Sequence, residues 1–318
     1  KYNGKAGSGM KTGAVILAAG HKSATSTFKP LMPIGGTTVI RRIIMTLKRS
    51  GVDPIVVITG KDAKELEKHI SKLRVICLRN ENYENTQIFD SVFTGLNYIE
   101  DLCDRVLILP AKYPMLLPET IKKVMNSSRL AACPVFDGRR GHPIMISKEL
   151  IPSLLSYDGR QGLRGALKQT EIDVLIEEIP VDDKGIIESI ETDVDYGDNY
   201  YMGRASMHPN ANLFLECDEI FFGPGIAQFL MLIEHNGSMQ TACRQMYMSY
   251  SKGWKIIKEA EKQLGYPLLI TRSGGAEGGF SQLTPKTKDF LNRFLSMEKE
   301  LNEKTEELFI KYFEGVLK

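Results

Sequence analysis

The chain has 318 residues, 42% of them hydrophobic and 25% charged, and this composition excludes the disordered and fibrous classes of protein. Its 41 basic and 39 acidic residues give a net charge of +2, so the overall charge neither indicates nor excludes a nucleic-acid partner. One hydrophobic core rarely serves a chain of this length, and we therefore expect two domains.

The cysteines and the hydropathy pattern indicate the compartment. The five cysteines are scattered without a CxxC pair, at Cys77, Cys103, Cys133, Cys217 and Cys243. An odd, unpaired set is typical of reduced thiols in the cytoplasm. No apolar run reaches membrane-spanning length and no signal peptide is evident, so we expect a cytoplasmic protein with no membrane partner.

Residues 13–20 form an apolar run of strand length that leads into a turn of small residues. Such a pattern is typical of the first strand and phosphate loop of an α/β nucleotide fold, because unobstructed backbone N–H groups can approach phosphate oxygens. The candidate nucleotide-binding residues here are Leu17, Ala18, Ala19, Gly20 and Lys29. A buried strand followed by an ordinary tight turn is the alternative interpretation.

Strand and helix patterns alternate along the residues that follow. The predicted strands are 55–59, 75–78 and 105–109, and the predicted helices are 37–50, 62–73 and 90–100. This alternation indicates a parallel sheet with helices on both faces, in which ligands bind beyond the carboxyl ends of the strands. The loops after Ala18 and Leu109 should therefore face one crevice.

Seven segments within roughly the first two hundred residues keep a characteristic order and spacing. They are residues 17–20, 29–31, 34–40, 89–92, 109–111, 141–143 and 192–196. Together they resemble the MobA/MocA-like nucleotidyltransferases of the molybdenum cofactor, which have a glycosyltransferase-A-like, Rossmann-like fold. The resemblance implies a domain over residues 10–200 that takes CTP or GTP, with Mg²⁺ only if the domain is active. It also places His142 on the acceptor-substrate side, although a lone histidine is more often structural.

The sequence departs from the resembled family at chemically important positions. Ala24 and Ser26 stand in the first loop where the family has an arginine and a glycine. Lys112 replaces the family's metal-binding aspartate. The last of the seven segments, 192–196, is the late motif, and Ser189 and Glu191 stand where the family has aspartates just before its threonine. A bidentate phosphate donor and a magnesium ligand are thus lost. An ion pair between Glu191 and Lys112 is favoured, and a contact of Glu191 with a metal is the alternative. We therefore expect no catalytic residue and no metal site.

These replacements predict that the first domain binds a ligand and does not catalyse a reaction. A degenerate transferase domain of this kind should hold a nucleotide or another small anionic ligand without turning it over, with Lys112 near the place that magnesium would take. A crevice that serves only as a scaffold is the alternative.

A linker is predicted over residues 201–212, where glycine, proline and asparagine interrupt the alternating pattern. The second domain, 213–318, begins with a predicted strand over 213–222 and a helix over 226–235. Ser238 and Ser249 are predicted to cap two further helices, the second ending at Leu264. Strands over 267–272 and 280–284 flank a glycine-rich tip at 273–279.

These elements, with the markers 222–225, 248–254 and 268–275, resemble the winged helix-turn-helix domain of ModE-type and LysR-type regulators. The resemblance implies double-stranded DNA as the partner. Between Ser238 and Arg272 lie six basic and two acidic residues, a local positive excess that the overall balance hides. The candidate DNA-binding residues are Ser249, Tyr250, Ser251, Lys252, Lys255 and Arg272. Trp254 is expected in the core.

Residues 286–318 are predicted to form one long helix. Its apolar residues follow an alternating spacing of four and three and comprise Phe290, Phe294, Met297, Leu301, Leu308 and Tyr312. Such a seam favours a homodimer through this helix. Packing of the helix on its own domain is the alternative.

The sequence as a whole predicts a transcriptional regulator that binds DNA and senses a nucleotide or anion through a degenerate MobA-like domain. Both resemblances link it to molybdenum cofactor and molybdoenzyme biology. The alternative is an active molybdenum cofactor cytidylyl- or guanylyltransferase that also binds DNA. The sequence leaves open the ligand, the operator, the sign of regulation and the coupling between domains.

Overall fold

The computed structural model of the chain describes residues 10–20, 28–86, 88–159, 161–190, 208–272 and 280–313. The chain divides into two compact units, Lys1–Arg204 and Ala205–Lys318. Part of the expected linker, residues 201–207, and the expected glycine-rich tip, residues 273–279, lie outside the described residues.

The first unit is built on a mostly parallel sheet of eight strands. The described strands of this unit, which include two outside the sheet, are in chain order β1 (Thr12–Ala18), β2 (Pro33–Ile34), β3 (Thr37–Thr38), β4 (Ile55–Thr59), β5 (Ile76–Arg79), β6 (Arg105–Pro110), β7 (Ala131–Phe136), β8 (Arg139–Arg140), β9 (Ile144–Ser147) and β10 (Ile176–Pro180). The order in the sheet is β10-β7-β9-β6-β1-β4-β5, with β8 paired to β7, whereas β2 and β3 form a separate hairpin. Strand β9 runs antiparallel to β6 and β7.

Helices cover both faces of this sheet, as the alternating pattern predicts. They are α1 (Val39–Arg49), α2 (Ala63–Ile70), α3 (Ile88–Ile99), α4 (Pro118–Met125), α5 (Ile151–Leu155) and α6 (Gly162–Gln169). The apolar stripe of α1 joins Ala14 and Ile16 of β1 in one buried cluster. Helix α3 lies on the opposite face, where a Cβ at Gly95 would stand 2.4 Å from Val15 Cγ1.

The second unit is largely helical and carries two small hairpins. Its elements are β11 (Leu215–Glu216), β12 (Ile220–Phe222), α7 (Pro224–Asn236), α8 (Met239–Gln245), α9 (Tyr250–Leu264), β13 (Leu269–Arg272), β14 (Phe280–Leu283) and α10 (Pro285–Phe313). The prediction of a single strand over 213–222 is wrong, because β11 and β12 form an antiparallel pair. The polar residues at 217–219 favour a turn over a continuous strand, and the Cys217 N–H donates to the Glu219 carbonyl at 3.2 Å.

The predicted helix starts in the second unit are confirmed by their caps. Ser238 Oγ accepts a hydrogen bond from the Thr241 N–H, and Ser249 Oγ accepts one from the Lys252 N–H, each at 3.2 Å. A serine at this position satisfies one of the unpaired N–H groups at a helix start. The side-chain chemistry of two serines thus fixes where α8 and α9 begin.

A glycine allows α9 to approach its neighbours closely. A Cβ at Gly253 would stand 2.5 Å from Cys243 Sγ on α8 and 2.9 Å from Phe229 Cζ on α7, and both of these side chains are buried. Trp254, the next residue, is only half-buried, so its expected place in the core holds in part. Its ring meets Tyr250 edge-on at 6.3 Å, and Lys258 Nζ lies 5.2 Å from its centre.

The long helix α10 has two different halves. In the first half, Phe290 and Phe294 each pack edge-on against Phe222 with ring centres 4.9 Å apart. In the second half, Leu308 and Tyr312 are exposed, as are Ile310 and Phe313. Packing on its own unit therefore accounts for Phe290 and Phe294 of the predicted seam, whereas Met297 is exposed. Across the described residues, none of the helices combines the length and the apolar character needed to span a membrane.

We predict that Gly253→Ala destabilises the second unit by about 2 kcal/mol, because overpacking against Cys243 and Phe229 outweighs the gain in helix propensity. Urea unfolding followed by the fluorescence of Trp254, the sole tryptophan of the chain, measures this unit directly. Gly225→Ala is the matched control, since a Cβ there meets nothing within 4 Å. Equal stability of the two variants would contradict the close approach.

Candidate functional site

Three strand ends meet at one edge of the sheet of the first unit. Strands β4, β1 and β6 pair in parallel, and the pairing continues into the loops beyond them. The Lys61 N–H donates to the Ala19 carbonyl at 2.7 Å, and the Ala111 N–H donates to the Leu17 carbonyl at 2.9 Å. The loops after Ala18 and Leu109 therefore leave the sheet at one edge, as predicted, and the loop after β4 joins them.

The first of these loops makes a left-handed turn at Gly20. Gly20 has φ +82°, and a Cβ there would lie 3.0 Å from the Cβ of Lys61 and 3.6 Å from the ring of Phe28. A side chain at this position is disfavoured by both the backbone and the space. Ala18 and Ala19 are buried beneath the turn. Residues 21–27, including Ala24 and Ser26, lie outside the described residues.

Lys29 follows Phe28 directly and opens a short 3-10 turn, Lys29–Leu31. The Phe28 ring lies against the Gly20 turn, so Lys29 is the residue that follows this contact in the chain. The side chain of Lys29 is half-buried. The structure thus brings two of the predicted nucleotide-binding positions, Gly20 and Lys29, to the same end of β1.

Lys61 is a basic residue of this edge that the sequence reasoning missed. Its aliphatic stem packs over Gly20, and no carboxylate of the described residues forms an ion pair with its ammonium group. The available signal was positional, because Lys61 comes almost directly after the strand that neighbours β1. Lys61 therefore adds positive charge to the Gly20 turn, and Lys29 belongs to the loop that contains this turn.

Lys112 lies at the end of β6 beside two aromatic rings. Its Nζ is 5.4 Å from the ring centre of Tyr113, and that ring is tilted by 38° against the His142 ring at 4.8 Å. The Lys112 carbonyl accepts a hydrogen bond from the Ile190 N–H at 3.0 Å, which brings Ser189 of the late motif next to this loop. Glu191, the expected ion-pair partner of Lys112, lies outside the described residues.

His142 is held in its neutral form. Burial and then the positive charge of Lys112 lower the pKa of its imidazole from 6.5 to about 4, against a hydrogen bond with the backbone of Ile108. Its Nδ1 is buried and has no hydrogen-bond partner among the described residues. Nδ1 is therefore a buried acceptor without a partner in the described part of the chain, on a ring that feels the charge of Lys112.

A buried aspartate fixes the loop that carries Lys112. The carboxylate of Asp183 accepts hydrogen bonds from the Leu117 N–H at 2.9 Å, Thr120 Oγ1 at 2.8 Å and the Gly185 N–H at 3.0 Å. Gly185 lies so close that a Cβ would stand 2.2 Å from the Met115 carbonyl. This carboxylate serves the loop structure, because its bonds join the start of α4 to the turn at residues 184–186.

Magnesium is usually anchored by carboxylate oxygens, and the strand end where the resembled family holds it carries Lys112 instead. The acidic residues of the predicted late motif, Glu191, Asp193 and Asp195, lie outside the described residues. Within the described ranges, no group of three or more His, Cys, Asp or Glu side chains is arranged to hold a metal ion. What the described part of the edge offers is lysine charge and a glycine turn, a combination suited to an anion.

The candidate DNA-binding residues lie together in part. Residues Ser249, Tyr250, Ser251, Lys252 and Lys255 occupy the cap and first turns of α9, and Arg272 ends β13. All six are exposed, and Ser249 Oγ is engaged by its capping hydrogen bond. The start of α9 therefore presents hydroxyl and ammonium groups on one stretch of surface.

Comparison with curated proteins finds similarity in part of the first unit. The bifunctional protein GlmU of Francisella philomiragia is 29% identical over 121 residues, which are 37% of this chain and 26% of that protein. The GlmU of Coxiella burnetii is 26% identical over the same share of both. The chain spans about a quarter of the length of these curated relatives.

A solved structure and a family profile agree on the fold of this unit. A nucleotidyl transferase from Methanothermobacter thermautotroptrophicus superposes with a TM-score of 0.51 at 20% identity, covering 62% of this chain and 97% of that one. The profile of the MobA-like NTP transferase domain matches residues 14–174, half of the chain. These residues contain the sheet except for its edge strand β10, together with the Gly20 turn, Lys29, Lys112 and His142, and the chain therefore belongs to the MobA-like NTP transferase domain family.

Proposed function

We propose that this chain is a DNA-binding regulator whose first unit binds a nucleoside triphosphate without metal-dependent transfer. The observation that supports this most is Lys112 at the end of β6, the strand end where a transferase of the resembled family requires a carboxylate for Mg²⁺. CTP and GTP are the nucleotides that the resemblance favours, and another small polyanion is the wider class.

Charge supports binding in the absence of a divalent ion. A triphosphate needs several positive charges, and Lys29, Lys61 and Lys112 belong to the three loops that leave one sheet edge. Lysine ammonium groups act as point charges that accept many phosphate orientations. The backbone of the Gly20 turn would contribute N–H groups that approach the phosphates closely. Lys112 would thus supply part of the charge that Mg²⁺ supplies in a transferase.

The second unit supports the proposal of DNA binding. Helices α8 and α9 cross closely at Gly253, and β13 and β14 form an antiparallel hairpin after them, an order typical of a winged helix-turn-helix. The exposed residues at the start of α9 would enter the major groove. The exposed apolar residues of the second half of α10 favour a homodimer. The link to molybdenum cofactor genes rests on the resemblances described above.

We predict that CTP or GTP binds in EDTA, as measured by isothermal titration calorimetry. Lys29→Gln, Lys61→Gln and Lys112→Gln should each weaken binding about tenfold, since each removes a charge from the phosphates. Lys64→Gln, an exposed lysine on α2, is the control and should bind normally. Release of pyrophosphate with Mg²⁺ and a pterin acceptor would instead favour the active transferase, and no heat with any nucleotide would leave a scaffold.

We predict salt-dependent binding of double-stranded DNA by the full chain. Lys252→Gln and Lys255→Gln should each lower the slope of log affinity against log salt by about one, because each lysine releases a counterion from the duplex. Fluorescence anisotropy with a labelled duplex measures the slope. Lys299→Gln on α10 is the control. A slope that both α9 variants leave unchanged would argue against α9 as the DNA contact.

We predict that His142 titrates near pH 4, as measured by NMR. Its folded pKa lies below the ordinary value of 6.5, so the fold binds fewer protons than the unfolded chain between these values, and stability falls as pH drops from about 6.5 to about 4. The loss contributed by His142 is at most about 3 kcal/mol and should be absent in His142→Phe. A midpoint near 6.5 would show that the imidazole is not buried beside Lys112.

A further inference from the structure

We propose that an apolar groove within the second unit binds a small amphipathic carboxylate, with Lys252 as the anchor for its charge. The groove has a volume of about 380 Å³ and lies between the β11–β12 hairpin, the start of α7 and the turn that joins α8 to α9. This volume is within the range of small-molecule sites in proteins. The binding step does not depend on the proposed DNA binding or on the nucleotide site.

The walls of the groove are apolar and exposed to solvent. Phe214 is 52% exposed, Ile220 is 59% exposed and Tyr247 is 43% exposed, and all three border the same space. Met246 and Met248 line it from the turn before α9. Apolar side chains gathered around one concave surface are typical of a binding site, and methionines adapt their shape to a ligand.

The groove has a positively charged lining residue, Lys252, and this charge favours an anionic ligand. Lys252 is the one charged residue among the described residues that line it, and no carboxylate of the described part of the chain forms an ion pair with Lys252. Lys252 also lies in the first turn of α9, where the helix dipole favours an anion. An apolar body with a single carboxylate therefore matches the groove in both hydrophobicity and charge.

The structure supplies a variant that closes the groove. Gly225 lines it at the start of α7, and a Cβ there would meet no heavy atom within 4 Å. Gly225 does not have a positive φ, so the first atom of a side chain there meets neither a clash nor backbone strain. Gly225→Leu should therefore fill the groove while leaving the unit folded, which the fluorescence of Trp254 would verify.

The experiment is a titration of the full chain followed by the isoleucine methyl signals in NMR, with 4-phenylbutyrate as the probe. We expect saturable shifts at Ile220, Ile226 and Ile256, which line the groove. Lys252→Met should weaken 4-phenylbutyrate about fivefold and leave the uncharged 4-phenyl-1-butanol unchanged, because only the carboxylate uses the ammonium group. Lys262→Met, an exposed lysine further along α9, should change neither ligand.

Three results of the titration would overturn the proposal. These are no saturable shift at the three isoleucines, equal binding by Gly225→Leu, and equal weakening of the acid and the alcohol by Lys252→Met. Shifts of the same methyl groups on dilution of the protein alone would identify a second copy of the chain as the occupant and would also overturn it. Because DNA and nucleotide are absent from the titration, failure here is separate from failure of the proposed function.

Discussion

The parallel pairing of β4, β1 and β6 is the constraint on which the first unit depends. Parallel strands send their carboxyl ends to one edge, so residues far apart in sequence, Gly20, Lys61 and Lys112, come from adjacent loops. The pairing continues past the strands through the Ala19 and Leu17 carbonyls, which holds the loop backbones in register. The chemistry of the edge is then decided by which side chains these fixed positions carry.

The loop that carries Lys112 is held in place, so an ammonium group in the position of a carboxylate changes the charge at one defined point. Asp183 ties the loop to the start of α4, and the His142 N–H donates to the Ile186 carbonyl at 3.0 Å, so the ammonium and the imidazole share one confined region. A cation next to the imidazole disfavours its protonation, so the ring keeps the one N–H that bonds the Ile108 backbone, and Nδ1 is left as an acceptor. A carboxylate in the position of Lys112 would instead favour the protonated form of the imidazole.

The sequence predicts the fold better than it predicts the site. Periodicity locates α1 because five apolar side chains face one cluster, and serine caps locate α8 and α9. It fails for β11 and β12, where residues 217–219 turn the chain between two short strands and the prediction had a single strand. Lys61 and Asp183 were missed because their roles arise from contacts across the fold, with Gly20 and with the Leu117 N–H, that local patterns do not contain.

Both units present lysine beside a structured backbone turn, and under the proposed function this arrangement would determine the response to ligands. In the first unit the turn is the glycine at the end of β1, and in the second it is the start of α9, where Lys252 borders an apolar groove. Lys252 is also a proposed DNA contact, so a carboxylate in the groove would neutralise a charge that DNA requires. A response to a small acid would then be complete within the second unit, since competition for one side chain needs no conformational signal from the nucleotide site.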